Sequence, residues 1–163
     1  MIIPWGKPRI FKKDLDASGS SWIEEATPVE DSTELATEKG DKLEAKIEGG
    51  ENEDVRVKAS TYTLTYNIRK AKGRAKPFDS HDGVVLHNYA FMLQPEDPTC
   101  VGFSIDKANV SVNDTYSAAD GAVWEIQVDV LKPDNGDSVK WGTVTVSNGT
   151  PSFTESTAVA DGD

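Results

Sequence analysis

Besides its carboxylates, the chain has two histidines and one cysteine with nucleophilic or metal-ligating chemistry. His81 stands in Asp79-Ser80-His81-Asp82-Gly83, a run able to ligate a metal or hold a base, but its composition is that of a solvated turn ahead of a strand. His87 lies inside an apolar run, where a satisfied core or interface histidine is the plainer reading. Cys100 has no second cysteine to bridge, and with the two histidines it falls short of a structural zinc set unless carboxylates or a second subunit contribute. Asp134-Asn135-Gly136-Asp137 offers oxygens to calcium, yet it lacks the spacing and closing glutamate of a calcium loop and reads as a hairpin turn. Asn109-Val110-Ser111, Asn113-Asp114-Thr115 and Asn148-Gly149-Thr150 spell glycosylation acceptors by chance, since no signal peptide precedes them. There is no glycine-rich phosphate cradle, nucleophile elbow, His-Glu-x-x-His or Cys-x-x-Cys. The residues therefore predict a protein that is not an enzyme, with no catalytic residues, metal or cofactor.

The charge pattern is more informative. The net charge is -11, from 28 acidic and 17 basic residues, which argues against a protein that grips nucleic acid by its phosphates. It is compatible with a surface that nucleic acid slides past. Between Val55 and Phe78 stand Arg56, Lys58, Arg69, Lys70, Lys72, Arg74 and Lys76, with no acidic residue among them. A basic strip on an acidic body suits like subunits that meet positive to negative; a strand with a solvated Lys/Arg face followed by a basic loop is the simpler alternative.

These residues must be positioned by strands, because the dominant hydrophobic period is two. A length of 163 residues, 37% hydrophobic, predicts one domain over about 1-150. No apolar run approaches the ~20 residues that span a bilayer, and no hydrophobic stretch at the N-terminus precedes a cleavage site, so neither membrane anchor nor secretion signal is expected. Leu43, Ala45 and Ile47 alternate with charged residues up to Gly49-Gly50. Val55, Val57 and Ala59 alternate next, and the apolar phase then slips at Ser60-Thr61 to Tyr62, Leu64, Tyr66 and Ile68. Strands over 41-48 and 55-69 are thus predicted to form a long bent hairpin with a bulge or a bend between sheets at the slip. Val84 to Leu93 is apolar on both phases and reads as a central strand buried on both sides. Val101 to Ile105 and Asn109 to Val112 are shorter candidates; Ala122 to Val130 and Val139 to Ser147 complete the set. Thr27-Pro28-Val29-Glu30 spells a capping box, but Thr33-Glu34-Leu35-Ala36-Thr37 behind it lacks a 3.6-residue stripe, leaving a turn into a short strand or a helix of one or two turns. Residues 1-27 are expected as an N-terminal arm, about 70-82 as a mobile basic loop, and 151-163 as a flexible acidic tail. The class predicted is all-β, or mainly β with one short helix, as an antiparallel sandwich or barrel.

The order of features resembles a known family. It runs from Gly6-Lys7-Pro8-Arg9-Ile10-Phe11 through Trp22, Thr27-Pro28-Val29-Glu30-Asp31-Ser32 and Glu48-Gly49-Gly50-Glu51 to Asp54-Val55 and Tyr62-Thr63-Leu64-Thr65-Tyr66. Leu93-Gln94-Pro95-Glu96-Asp97-Pro98 and Tyr116-Ser117-Ala118-Ala119-Asp120-Gly121 come next, ahead of the Trp124 strand. Over about residues 6-147 this resembles the major tail tube proteins of long-tailed bacteriophages and prophages, relatives of the tube subunits of contractile injection and type VI secretion systems. The resemblance implies two packed antiparallel sheets closed into a distorted barrel with a short flanking helix. It also implies hexameric rings stacked into a virion tail tube, made in the host cytoplasm, through which tape-measure protein and DNA pass. The implied partners are other copies of the chain, the tape-measure protein and baseplate or terminator proteins, with no membrane.

A long inter-ring loop belongs to that pattern, and the candidate here is the stretch bearing Lys70, Lys72, Arg74, Lys76, Asp79 and His81. A conduit for DNA has to repel phosphate weakly and bind it nowhere, which makes Glu44, Glu48, Glu125 and Asp129 candidates for an acidic bore. The rival expectation is a monomeric bacterial β-sandwich adhesion or carbohydrate-binding module, with Trp5, Trp22 or Trp141 as stacking platforms. Tryptophans clustered on one exposed face favour the rival; tryptophans dispersed in the core disfavour it.

Overall fold

The period-two segments fold as antiparallel strands throughout the computed structural model, which describes residues 3-157. In chain order they are β1 (Arg9–Asp14), β2 (Ile23–Glu24), β3 (Glu34–Glu38), β4 (Lys42–Lys46), β5 (Asn52–Val57) and β6 (Thr61–Arg69). Then come β7 (Ser80–His81), β8 (Val84–Gln94), β9 (Gly102–Ser117), β10 (Gly121–Val130), β11 (Val139–Ser147) and β12 (Thr150–Glu155). Ten of them form one sheet with the path β2-β1-β8-β9-β10-β6-β3, from which β7 and the β11-β12 pair branch. The all-β class is as expected. No helix occurs among the described residues, so none there could cross a membrane.

The long strand β9 organises the sheet. One edge lies against β8; on the other, Gly102–Ile105 pairs with β11 and Ala108–Ser117 with β10. The sheet therefore forks near Asp106, and the branches curl over a core that includes Leu64, Tyr66, Phe91, Ile105, Ile126 and Val139. Gly102 and Gly142 face each other at the end of the β9-β11 pairing away from the fork, and a Cβ on either would stand 2.1 Å from a backbone carbonyl oxygen of the adjacent strand. Closure across the remaining gap comes from the irregular segment after β2. Glu25 N–H donates to Ile10 O at 2.7 Å and Val29 N–H to Asn67 O at 2.8 Å, tying β1 to β6.

Several expectations change in physical detail. The capping-box segment Thr27–Glu30 is as expected a non-helical lead into the short strand β3, not the alternative helix, and its Val29 amide serves this closure. The expected N-terminal arm shortens, since Arg9–Asp14 pairs with β8 and buries Ile10, Phe11 and Lys12. The two short strands expected over 101-112 are one strand of 16 residues. Val84 to Leu93 is central, yet it is buried on both faces only around Tyr89, Ala90 and Phe91; Leu86 is 82% exposed. Register shifts between Val84 and Asn88 and between Tyr89 and Phe91 turn its first half outward. The tail expected from Pro151 opens as β12, held by a turn in which Asn148 and Gly149 have φ of 52° and 77°, the geometry of a tight two-residue hairpin. Residues 158-163 of that tail lie outside the described residues.

The phase slip at Ser60-Thr61 marks where the chain leaves one sheet for another. Thr61–Thr65 pairs with β3, whereas β5 pairs with β4 in a separate two-stranded sheet. Lys58 N–H donates to Asp41 O at the waist, and a Cβ on Gly40 would meet the Lys58 carbonyl oxygen at 2.0 Å. The predicted long bent hairpin is thus real, with its bend at the phase slip.

Candidate functional site

The outer half of that hairpin pairs with no other strand among the described residues. All residues of β4 and β5 are exposed, including Leu43 (51%) and Val57 (52%). Val55 and Val57 lie opposite Glu44 and Lys42, so one face carries two valines with a charged column; Leu43 and Ala45 lie opposite Arg56 and Asp54 on the other. Glu44 accepts from Lys42 at 3.0 Å and lies 3.4 Å from Lys46. The Lys42 hydrogen bond, then its charge, holds the Glu44 carboxyl below its ordinary value. The apolar side chains of the ribbon are what a partner would cover.

The basic stretch is tied down at several points. Lys70 N–H donates to Ala122 O, and its ammonium pairs with Asp114 at 2.8 Å. Lys72 and Arg74 flank Gly73, whose φ of 80° makes a tight turn, and Arg74 Nη1 donates to the Arg69 carbonyl. Lys76 reaches the Ser80 carbonyl at 3.3 Å, while Phe78 is buried edge-on to Tyr89 with ring centroids 4.8 Å apart. His81 pairs with Asp79 at 3.2 Å, both largely exposed, and Asp82-Gly83 turns the chain into β8.

Glu125 and Asp129 share the solvent face of β10 with Gln127. In register beside them stand Asn113, Ser111 and Asn109 of β9 and Asn67, Thr65 and Thr63 of β6. This face is neutral-polar to acidic with no Lys or Arg in those rows. Glu44 and Glu48 are not part of it; they belong to the separate ribbon and its turn. The four candidate bore residues thus divide two and two.

A groove of about 790 Å³ was not foreseen from the sequence. Trp5 (78% exposed) and Trp141 (49%) line it with Leu35, Leu64, Leu93 and Phe103, and Glu30, Asp31 and Glu96 stand at it against a single Lys7. Its residues come from six separate parts of the chain, which no local pattern connects. Of the other tryptophans, Trp124 is in the core and Trp22 is half-buried elsewhere. The tryptophans are thus neither all clustered nor all dispersed.

The charged groups most deeply placed were also missed. Lys12 and Glu25, whose side chains are 8% and 3% exposed, pair at 2.5 Å. The Lys12 ammonium also donates to the Pro77 carbonyl and lies 4.2 Å from the Phe78 ring centroid. Tyr66 Oη donates to the other Glu25 oxygen at 2.9 Å. Burial first, then the Glu25 charge, pushes the Tyr66 phenol well above its ordinary value. Every polar atom of this cluster has a partner, so it works as a lock on the closure segment. Among the described residues no group of three or more His, Cys, Asp and Glu is disposed to hold a metal ion.

His87, read as a core or interface histidine, is half exposed and bonds Asp14 at 2.8 Å. That hydrogen bond, then the Asp14 charge, raises the ring's pKa. Burial opposes ionisation of Asp14, but bonds from His87 and the amides of Asp16 and Ala17 outweigh it and hold the carboxyl low. A raised folded pKa stabilises the protonated pair below the unfolded value of about 6.5 and loses that stabilisation as pH rises through the folded value. Amides of residues 15-22 are therefore expected to exchange faster at about pH 8 than at about pH 6, after correction for intrinsic rates. His87→Gln is expected to abolish the difference; an unchanged difference in that variant refutes the assignment.

No protein-family model matches the chain, and no curated protein matches it. Among solved structures, the fold is similar to a chain in the cryo-EM structure of an extracellular contractile injection system, the PVC sheath/tube terminator in extended state. The TM-score is 0.58 at 15% identity, covering 88% of this chain and 98% of that one. At this identity the likeness establishes a shared fold over nearly the whole of both chains.

Proposed function

We propose that this chain is a structural subunit of a tail-like injection assembly, which packs against copies of itself as hexameric rings stacked into a hollow tube. The observation that carries the reading is the β4-β5 ribbon, an exposed element with apolar side chains on both faces and no third strand in its sheet among the described residues. A two-stranded ribbon alone is marginal in water, so a function that covers it accounts for its presence. The likeness to a chain of a sheath/tube terminator structure supports placing that cover in a tail. Partners in this reading are further copies, the tape-measure protein and baseplate or terminator components.

Within the tube, the polar face around Glu125 and Asp129 suits a bore for passing DNA, since its three rows offer phosphate weak repulsion and no cation, with Arg69 one row beyond. Glu44 and Glu48 extend that wall only if the ribbons lie along it. The basic stretch from Lys70 to His81 is an inter-subunit contact. Negative-stain microscopy and sedimentation of concentrated protein across a salt series test the reading. Rings or tubes with a central hole, weakening as salt rises, are expected; a strict monomer at every protein and salt concentration refutes self-assembly.

A further inference from the structure

We infer that the groove lined by Trp5 and Trp141, with Glu30 and Asp31 at its margin, is the receptor for the basic turn Lys72-Gly73-Arg74 of a second copy of the chain. The inference rests on the self-assembly reading and names the two surfaces that meet.

The first argument is charge and shape. Three carboxylates and two exposed indoles against one lysine make a site for cations, since indole faces attract guanidinium and ammonium groups and carboxylates pair with them. Among the described residues neither Glu30, Asp31 nor Lys72 makes an ion pair within the chain. Among the described residues the Arg74 guanidinium makes one bond, from Nη1 to the Arg69 carbonyl, and the residue is exposed.

The second argument is position. Leu93 of β8 lines the groove, while Val84 at the other end pairs with His81 at the close of the basic stretch. Phe103 of β9 lines the groove, and Asp114 of the same strand pairs with Lys70, eleven residues or ~36 Å further along. Leu64 of β6 lines the groove, and the strand then runs from it to Arg69 and the turn. Three strands thus carry the turn away from the Leu93 and Phe103 part of the groove, while the acidic margin lies nearer to it, since Val29 N–H donates to Asn67 O two residues before Arg69. Within one chain neither Lys72 nor Arg74 forms an ion pair with the groove's carboxylates among the described residues, whereas a head-to-tail neighbour can supply that pairing, and such contacts repeat into a ring or a filament.

The test is a charge exchange. One variant carries Lys72→Glu and Arg74→Glu; the other carries Glu30→Lys and Asp31→Asn, asparagine because Asp31 has φ of 59°, which it tolerates. All four side chains are outside strands and none is in the core, and circular dichroism checks that each variant folds. Each alone is expected to need roughly tenfold more protein, or above, to assemble at low salt. A one-to-one mixture is expected to restore assembly, because reversed turns then meet reversed grooves. Wild-type protein that assembles while both variants assemble equally well, or a mixture that restores nothing, overturns this inference and leaves the self-assembly reading standing. Wild-type protein that never assembles overturns both. Quenching of tryptophan fluorescence by a soluble oligosaccharide that Trp141→Ala abolishes, with assembly untouched by the charge exchange, assigns the groove to sugar instead.

Discussion

Replacing Glu25 with glutamine is expected to lower stability by about 3–5 kcal/mol, because it strands the Lys12 ammonium in the core without its counter-charge. For a chain of this length that corresponds to a fall in Tm of roughly 10 °C by calorimetry or thermal circular dichroism. Tyr66→Phe removes only the phenol bond to Glu25 and should cost less, about 1.5–3 kcal/mol. The joint replacement Lys12→Met with Glu25→Leu separates the causes. It removes both charges together, so it is expected to be more stable than Glu25→Gln, even though a double change ordinarily costs more than a single one. A Glu25→Gln protein within 1 kcal/mol of the parent at neutral pH shows that water reaches the pair and that the closure is not locked there. The phenol adds an alkaline signature of known sign. Since its folded value is raised, the stability it contributes is complete below about pH 10 and declines above it, and Tyr66→Phe should flatten that decline.

The second large effect concerns assembly without folding. Val55→Ser with Val57→Ser removes the apolar half of one ribbon face and leaves Lys42 and Glu44 opposite. Burying each valine against a neighbour is worth about 1–1.5 kcal/mol, given that each is already partly covered. Losing both weakens each ribbon contact by roughly 30–140-fold. The monomer's Tm is expected to stay put, because neither side chain reaches the core. Sedimentation over a concentration series reads the first quantity and thermal melting the second. Weakened assembly with an unchanged Tm supports the ribbon as an interface; equal assembly removes it from the interface; a large drop in Tm assigns it to the fold of its own subunit.

The contrast between these two sites explains what could be read from residues in order. The ribbon was legible because its signals are local: alternation over Leu43, Ala45 and Ile47, the paired glycines at 49 and 50, and the slip at Ser60-Thr61. The lock was not, because Lys12, Glu25 and Tyr66 are neighbours only after β1, the closure segment and β6 have met. Each is unexceptional in its own stretch: a lysine in a strand, one of two adjacent glutamates, a tyrosine on an apolar phase. The groove escaped for the same reason, with its tryptophans 136 positions apart in the chain.

By itself, then, the sequence determined the features that depend on nearest neighbours and on sums. These are the antiparallel β class, the turn at Asp82-Gly83, the inward rows of β6 and β10, and a basic stretch on an acidic chain. Strand alternation and turn chemistry act over a few residues, and net charge is additive. Only the tertiary structure decided that β9 is continuous and forks the sheet, and that the first half of β8 turns outward at its register shifts. It also decided that a buried ion pair locks the segment bridging β1 and β6, and that six separate parts of the chain line one acidic aromatic groove. Those outcomes depend on which distant strands pair and in what register, and that choice is set by burial of the whole core at once rather than by any segment within it.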